Sequence, residues 1–90
     1  MFKNLEQLIN IIREKKKSTP DQSYTNKLLK DKNLNVSKVK EEIEELFEAV
    51  EKNSNKIHEA ADVIYHLMVY LESNDIKIED VMEELKKRQK

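Results

Sequence analysis

Glycine is absent from this chain of 90 residues, and proline occurs once, at Pro20. Glycine-rich phosphate loops therefore cannot be built, and any phosphate must be held by side chains, helix ends or metal. A single proline leaves long helices free to form. Apolar residues recur at the matching period: Phe2, Leu5, Leu8, Ile9 and Ile12 predict a first helix over about residues 2–17. The expected fold is all-α, an antiparallel bundle of four to five helices.

Ninety residues fit one domain near the size where burial alone is thin, so completion of the bundle by a homodimer is expected. The formal charge of −1, from 17 basic and 18 acidic residues, excludes bulk attraction to nucleic acid. Local basic clusters remain able to hold a phosphate-bearing small molecule. No cysteine is present, which excludes disulfides and thiolate metal sites and makes a reducing cytoplasm the expected compartment. The N-terminal segment alternates apolar and charged residues, unlike a secretory core or a membrane span.

Lys15, Lys16 and Lys17 suit the end of the first helix, as a solvated terminus or a phosphate patch. Thr19-Pro20-Asp21 predicts a turn, because the residue before proline is pushed away from helical geometry. Residues 23–29, SYTNKLL, read as a short helix capped by Ser23 and anchored to the core by Tyr24, Leu28 and Leu29. Lys30 to Asn35 is read as a polar connection, with Asn35 or Ser37 capping the next helix. In that helix Val36, Val39, Ile43, Leu46, Phe47 and Val50 form the expected buried stripe, with Glu42 and Glu45 along its edge. A loop over Lys52 to Lys56 then returns the chain antiparallel. The following helix, Ile57 to Leu71, carries Ile57, Ala60, Ala61, Ile64, Leu67, Met68 and Leu71 on one face. A turn at Ser73 to Asp75 and a last helix from about Ile78 close the bundle.

The chemistry rests on two acidic pairs. Glu42 with Glu45, and Glu59 with Asp62, are each spaced three apart, so each pair shares a helix face. The second pair lies on a largely apolar helix, where carboxylates are costly unless paired, hydrogen-bonded or bound to metal. Packed against each other, the two helices bring four oxygen ligands around one point. All-oxygen ligation favours magnesium, with manganese as a substitute, over structural zinc. His66 continues the polar strip as a ligand, a base, a supporting hydrogen bond, a phosphate contact or a packed histidine. His58 falls off the strip and reads as a surface residue.

Such a site suits a nucleotide's pyrophosphate. Glu42, Glu45, Glu59 and Asp62 are the expected metal ligands, for one ion or two, and Glu41 can activate water or bind a second ion. Lys27, Lys38 and Lys40 are candidates for phosphate oxygens, and the last two lie near a helix start that also attracts anions.

Glu41-Glu42-Ile43-Glu44-Glu45 and Glu59-Ala60-Ala61-Asp62 resemble the E-E-x-x-E and E-x-x-D motifs of the all-helical nucleoside triphosphate pyrophosphohydrolases of the MazG type. The Ser23-Tyr24-Thr25-Asn26-Lys27-Leu28 and Tyr65-His66 elements, with Val81, Leu85 and Arg88 near the end, narrow the resemblance to the phosphoribosyl-ATP pyrophosphohydrolases of histidine biosynthesis. It covers essentially the whole chain. The resemblance implies magnesium-dependent cleavage of phosphoribosyl-ATP between its α and β phosphates, by a homodimer in which Glu41, Glu42 and Glu45 are catalytic. Lys40 stands where that family has glycine. The competing expectations are a house-cleaning pyrophosphohydrolase of free nucleotides, which shares the metal site, and a metal-free dimerisation bundle.

Overall fold

The computed structural model describes residues 2–19 and 21–89, so Pro20 of the expected turn and Lys90 of the basic tail lie outside the described residues. Among the described residues five helices follow one another: α1 (Lys3–Lys15), α2 (Tyr24–Lys30), α3 (Lys32–Lys52), α4 (Lys56–Ser73) and α5 (Ile78–Lys87). The Gln22 and Ser23 amides donate to the Thr19 carbonyl at 3.1 and 3.0 Å.

Local chemistry explains the helix ends. The Ser23 hydroxyl accepts from the Asn26 amide at 3.1 Å and starts α2, as the sequence predicts. Asp31 then ends α2 and begins α3, its carboxylate accepting from the Leu34 amide at 3.0 Å. The polar connection expected over Lys30 to Asn35 is thus a single residue, and neither Asn35 nor Ser37 is the cap. An extended aspartate offers the required acceptor four residues before Asn35, which leaves that amide free to enter the helix interior.

Between α3 and α4 the chain needs left-handed backbone, and asparagine supplies it. Asn53 and Asn55 sit at φ 54° and 57°, a region in which asparagine is favoured over other non-glycine residues. The link is Asn53 to Asn55, shorter than the expected loop, and it folds α4 back along α3. At the far end Asn35 Nδ2 donates to Ser73 Oγ at 3.1 Å, and Asn35 is fully buried. That bond fixes the register of the hairpin. About two turns inward from it on each helix lie Glu42 of α3 and His66 of α4.

Helices α1 and α2 pack on one side of this hairpin. Ile12, Leu28 and Val69 form the core, with Leu8, Leu29, Leu34, Tyr65 and Met68 against them. The stripe expected to be buried on α3 lies differently. Asn35, Glu42 and Ala49 are its buried line, whereas Val36, Val39, Ile43 and Leu46 are partly covered and Phe47 and Val50 are exposed. On α4 the polar strip turns inward, and Ile57, Ala61, Ile64 and Leu67 of the expected apolar face are open. Periodicity identifies a stripe, but packing decides which neighbour covers it. Here α2 packs on both α3 and α4, while α1 packs on α2 and α4.

Helix α5 is held through a charged clasp. Arg13 donates from Nη1 and Nη2 to both oxygens of Glu79, at 3.0 and 2.8 Å, and from Nε to Glu72 at 3.3 Å. Lys16 reaches the same Glu72 oxygen at 2.8 Å. The guanidinium beside it holds the Glu79 carboxyl down at about 2. Among the described residues no helix is long and apolar enough to cross a membrane.

Removing the clasp with Arg13→Ala is expected to speed amide exchange across α5 while leaving α3 and α4 unchanged, as read by NMR. High salt should shrink the difference, because these groups are largely solvent-facing. Uniform exchange across all five helices would show that α5 is held by something else.

Candidate metal centre

The hairpin register sets the site. Glu42, Glu45 and Glu59 each offer a carboxylate oxygen, and the three oxygens lie within 4.8 Å of one another. Two of these residues come from α3 and one from α4, so the group exists only when the hairpin is closed. Glu59 also belongs to a second cluster, with His58 and Asp62, whose ligand atoms again lie within 4.8 Å of one another.

These carboxylates are poorly satisfied by the protein. Glu42 is only 7 % exposed, and its Oε2, like Glu59 Oε2, is buried without a hydrogen-bond partner among the described residues. Burial, followed by the neighbouring Glu45 and Asp62, pushes the Glu42 carboxyl up to about 7. Burial and Glu45 push Glu59 upward as well. Such shifts mark sites where the bare fold disfavours charge that a ligand can stabilise. A hard divalent cation fits the donor set, because it attracts every oxygen present and relieves their repulsion.

Glu41, next to the buried Glu42, points outward and accepts from Lys38 Nζ at 3.1 Å. Lys38 is partly covered, close enough to Tyr24 and Glu42 for both to raise its pKa, although Glu41 contributes most. Lys27 and Lys40 are exposed on α2 and α3. None of the three lysines belongs to the carboxylate clusters, but Lys38 stands at their edge. Asp62 is more open than Glu42, with His58 Nε2 3.3 Å from its carboxylate.

His66 is buried at 6 % exposure. Its Nδ1 is 2.9 Å from the Asp62 carbonyl, an acceptor only, so Nδ1 carries the proton. The rings of Tyr65 and Tyr24 stand edge-on to it at 4.9 and 6.3 Å. The Tyr65 hydroxyl in turn pairs with Thr25 Oγ1, tying the short α2 to this part of α4.

Two placements go beyond what the residue pattern predicts. His58 reads as a surface residue, and it is exposed, yet it meets Asp62 one turn on. The spacing of four is the signal that points to this contact. Tyr24 reads as an anchor of α2 in the core, but it is half exposed beside His66. No periodicity distinguishes those roles at the first residue of a seven-residue helix.

Comparison with known proteins agrees with this geometry. A family model described as phosphoribosyl-ATP pyrophosphohydrolase matches residues 5–89. A phosphoribosyl-ATP pyrophosphatase of Clostridium novyi is 42 % identical over 92 residues, covering 96 % of this chain and 81 % of that protein. The histidine biosynthesis bifunctional protein HisIE of Pyrococcus furiosus is 41 % identical over 87 residues, 96 % of this chain but 41 % of its own length. Its chloroplastic counterpart in Arabidopsis thaliana is 42 % identical over 94 % of this chain and 32 % of its own. No solved structure gives a significant match. With a family model spanning nearly the whole chain and relatives 41 and 42 % identical to it, the chain belongs to the phosphoribosyl-ATP pyrophosphohydrolase family.

Proposed function

We propose that this chain hydrolyses phosphoribosyl-ATP to phosphoribosyl-AMP and pyrophosphate, the second step of histidine biosynthesis, with magnesium as its metal and manganese as a substitute. The observation that carries the reading is the convergence of Glu42, Glu45 and Glu59, with two buried oxygens left unpartnered among the described residues, in a chain of this family.

Glu42, Glu45, Glu59 and Asp62 hold the metal. Glu59 belongs to both clusters, which supports room for two ions. When bound, the metal neutralises phosphate oxygens and lowers the pKa of water. The protein's own part is orientation. Glu41 lies outside both clusters and is the carboxylate free to take a proton from the attacking water, while Lys38 holds it in place. Lys27, Lys38 and Lys40 draw the phosphates to the α2 and α3 side by charge. As water attacks, the bond between the α and β phosphates breaks and pyrophosphate leaves.

A homodimer in the cytoplasm completes the proposal. Phe47 is 62 % and Ile57 88 % exposed, and with Val50 and Ile64 they leave an apolar face on the hairpin opposite α1 and α2. Ile57→Asp is expected to convert the dimer to monomer in light scattering. A monomeric wild type would remove the dimer from the proposal.

Product analysis with phosphoribosyl-ATP and a dNTP panel, each with and without magnesium, tests the reaction. Magnesium-dependent pyrophosphate release confined to phosphoribosyl-ATP is expected; preference for a dNTP would make this a house-cleaning enzyme. Glu45→Gln and Asp62→Asn should each lower kcat/KM by roughly 100-fold or more at limiting magnesium, with helicity retained in circular dichroism. Lys27→Ala should raise KM by roughly 10-fold with little change in kcat.

The Glu42 carboxyl gives a readout independent of activity. Its value in the fold, about 7, lies above the ordinary 4.5. Without metal, its contribution to stability is therefore complete below pH 4.5 and is lost as the pH rises through 7. In chelator at pH 8, Glu42→Gln should melt ~4–8 °C above the wild type, the shift that about 1 kcal/mol gives a domain of this size. Near pH 4 the two should coincide. Magnesium at pH 8 should stabilise the wild type more than the variant. Equal melting at both pH values would mean that Glu42 is not strained by its neighbours.

A further inference from the structure

We infer that His66 Nε2 accepts a hydrogen bond from a hydroxyl of the ribose that bears the triphosphate, making His66 the residue that reads the sugar. The inference rests on the proposed substrate and goes beyond the metal chemistry. Its starting point is an unpaired atom. Nε2 is closed off from solvent and has no hydrogen-bond partner among the described residues, although a buried acceptor left unmade costs about 1–3 kcal/mol.

The tautomer decides what can satisfy it. Because the Asp62 carbonyl at 2.9 Å only accepts, Nδ1 carries a proton, and in the neutral form of the ring Nε2 presents a bare lone pair. An ionised phosphate offers acceptors alone and cannot fill that position. A donor is needed, and a nucleotide carries donors on its ribose hydroxyls and its base.

Position favours the sugar. Glu59, Asp62 and His66 run along one strip of α4, with His66 one turn, ~6 Å, beyond Asp62 and ~10 Å beyond Glu59. Phosphates gathered at the carboxylates place the ribose next in line and the base beyond it. The surroundings of His66 suit a sugar as well. Tyr65 packs edge-on behind the ring, pinned through its hydroxyl to Thr25. Tyr24 stands edge-on to the same ring at 6.3 Å, half exposed and with no hydrogen bond to its hydroxyl among the described residues. As the solvent-facing neighbour of the ring, Tyr24 is the side chain that moves for a ribose to reach Nε2.

The test compares phosphoribosyl-ATP with analogues lacking the 2′- or the 3′-hydroxyl on the triphosphate-bearing ribose, in the wild type, His66→Asn and His66→Gln, with magnesium at pH 8. Glutamine places an amide oxygen where Nε2 stood, whereas asparagine does not reach it. The wild type and His66→Gln should prefer the full substrate over one deoxy analogue by ~10-fold or more in kcat/KM, and His66→Asn should lose that preference. A wild type that turns over all three substrates equally, or a His66→Asn enzyme that still discriminates, overturns the sugar contact and leaves the pyrophosphohydrolase reading intact. Failure of the wild type to release pyrophosphate from phosphoribosyl-ATP would instead overturn the reading on which the contact rests.

Discussion

Carboxylates facing one another across the seam of α3 and α4 are the constraint to which the rest of the molecule answers. Glu42, Glu45 and Glu59 repel, and part of each of two side chains is sealed from water. A hairpin carrying such a seam needs its register fixed elsewhere. The Asn35–Ser73 bond at the far end and the left-handed asparagines at the near end do so. Neither device draws on the repelling region, so the hairpin can stay closed while its middle remains strained. Clustered carboxylates held in this way are a donor set that a hard divalent cation fits, because it relieves their repulsion.

The same geometry divides the hairpin into two sides. Toward α1 and α2 lie the core of Ile12, Leu28 and Val69 and the polar mouth with Tyr24, His66 and Lys38. Away from them lie Phe47, Val50, Ile57 and Ile64. A chain this short has too few apolar residues to cover both sides of a two-helix seam and still bury a row of acids. The exposed Phe47, Val50, Ile57 and Ile64 are that shortage made visible.

Much of this was legible in the residues. Helix number, order and approximate bounds followed from the apolar period, and the acidic pairs stood out because Glu59 and Asp62 interrupt an otherwise apolar helix. The facing of the stripes did not follow. Val36 to Val50 reads as a buried stripe because periodicity reports only which side of a helix is richest in apolar residues. The seam that actually forms is chosen by Glu42, Ala49 and Asn35 meeting their counterparts on α4. Asn35 illustrates the limit. By composition it belongs to a cap, and only the fold brings Ser73 across the hairpin to accept from its Nδ2. Asp31 outcompetes it because a carboxylate at the N-cap satisfies an amide and favours the positive end of the helix dipole at once.

His66 carries the argument from fold to selectivity. The sequence leaves its role open because a histidine on a polar strip can donate, accept or ligate, and residue type does not choose among them. The backbone narrows the choice: the Asp62 carbonyl accepts from Nδ1, so in the neutral ring the other nitrogen is the acceptor. Asp62 thus acts twice, through its side chain in the cluster with His58 and Glu59 and through its main chain on the ring one turn along. Helical periodicity alone ties the two, since the carbonyl of one residue faces the side chain four further on. His66 and the carboxylates of Glu59 and Asp62 consequently stand at a fixed separation along a single rigid helix, with no loop between them to adjust the distance.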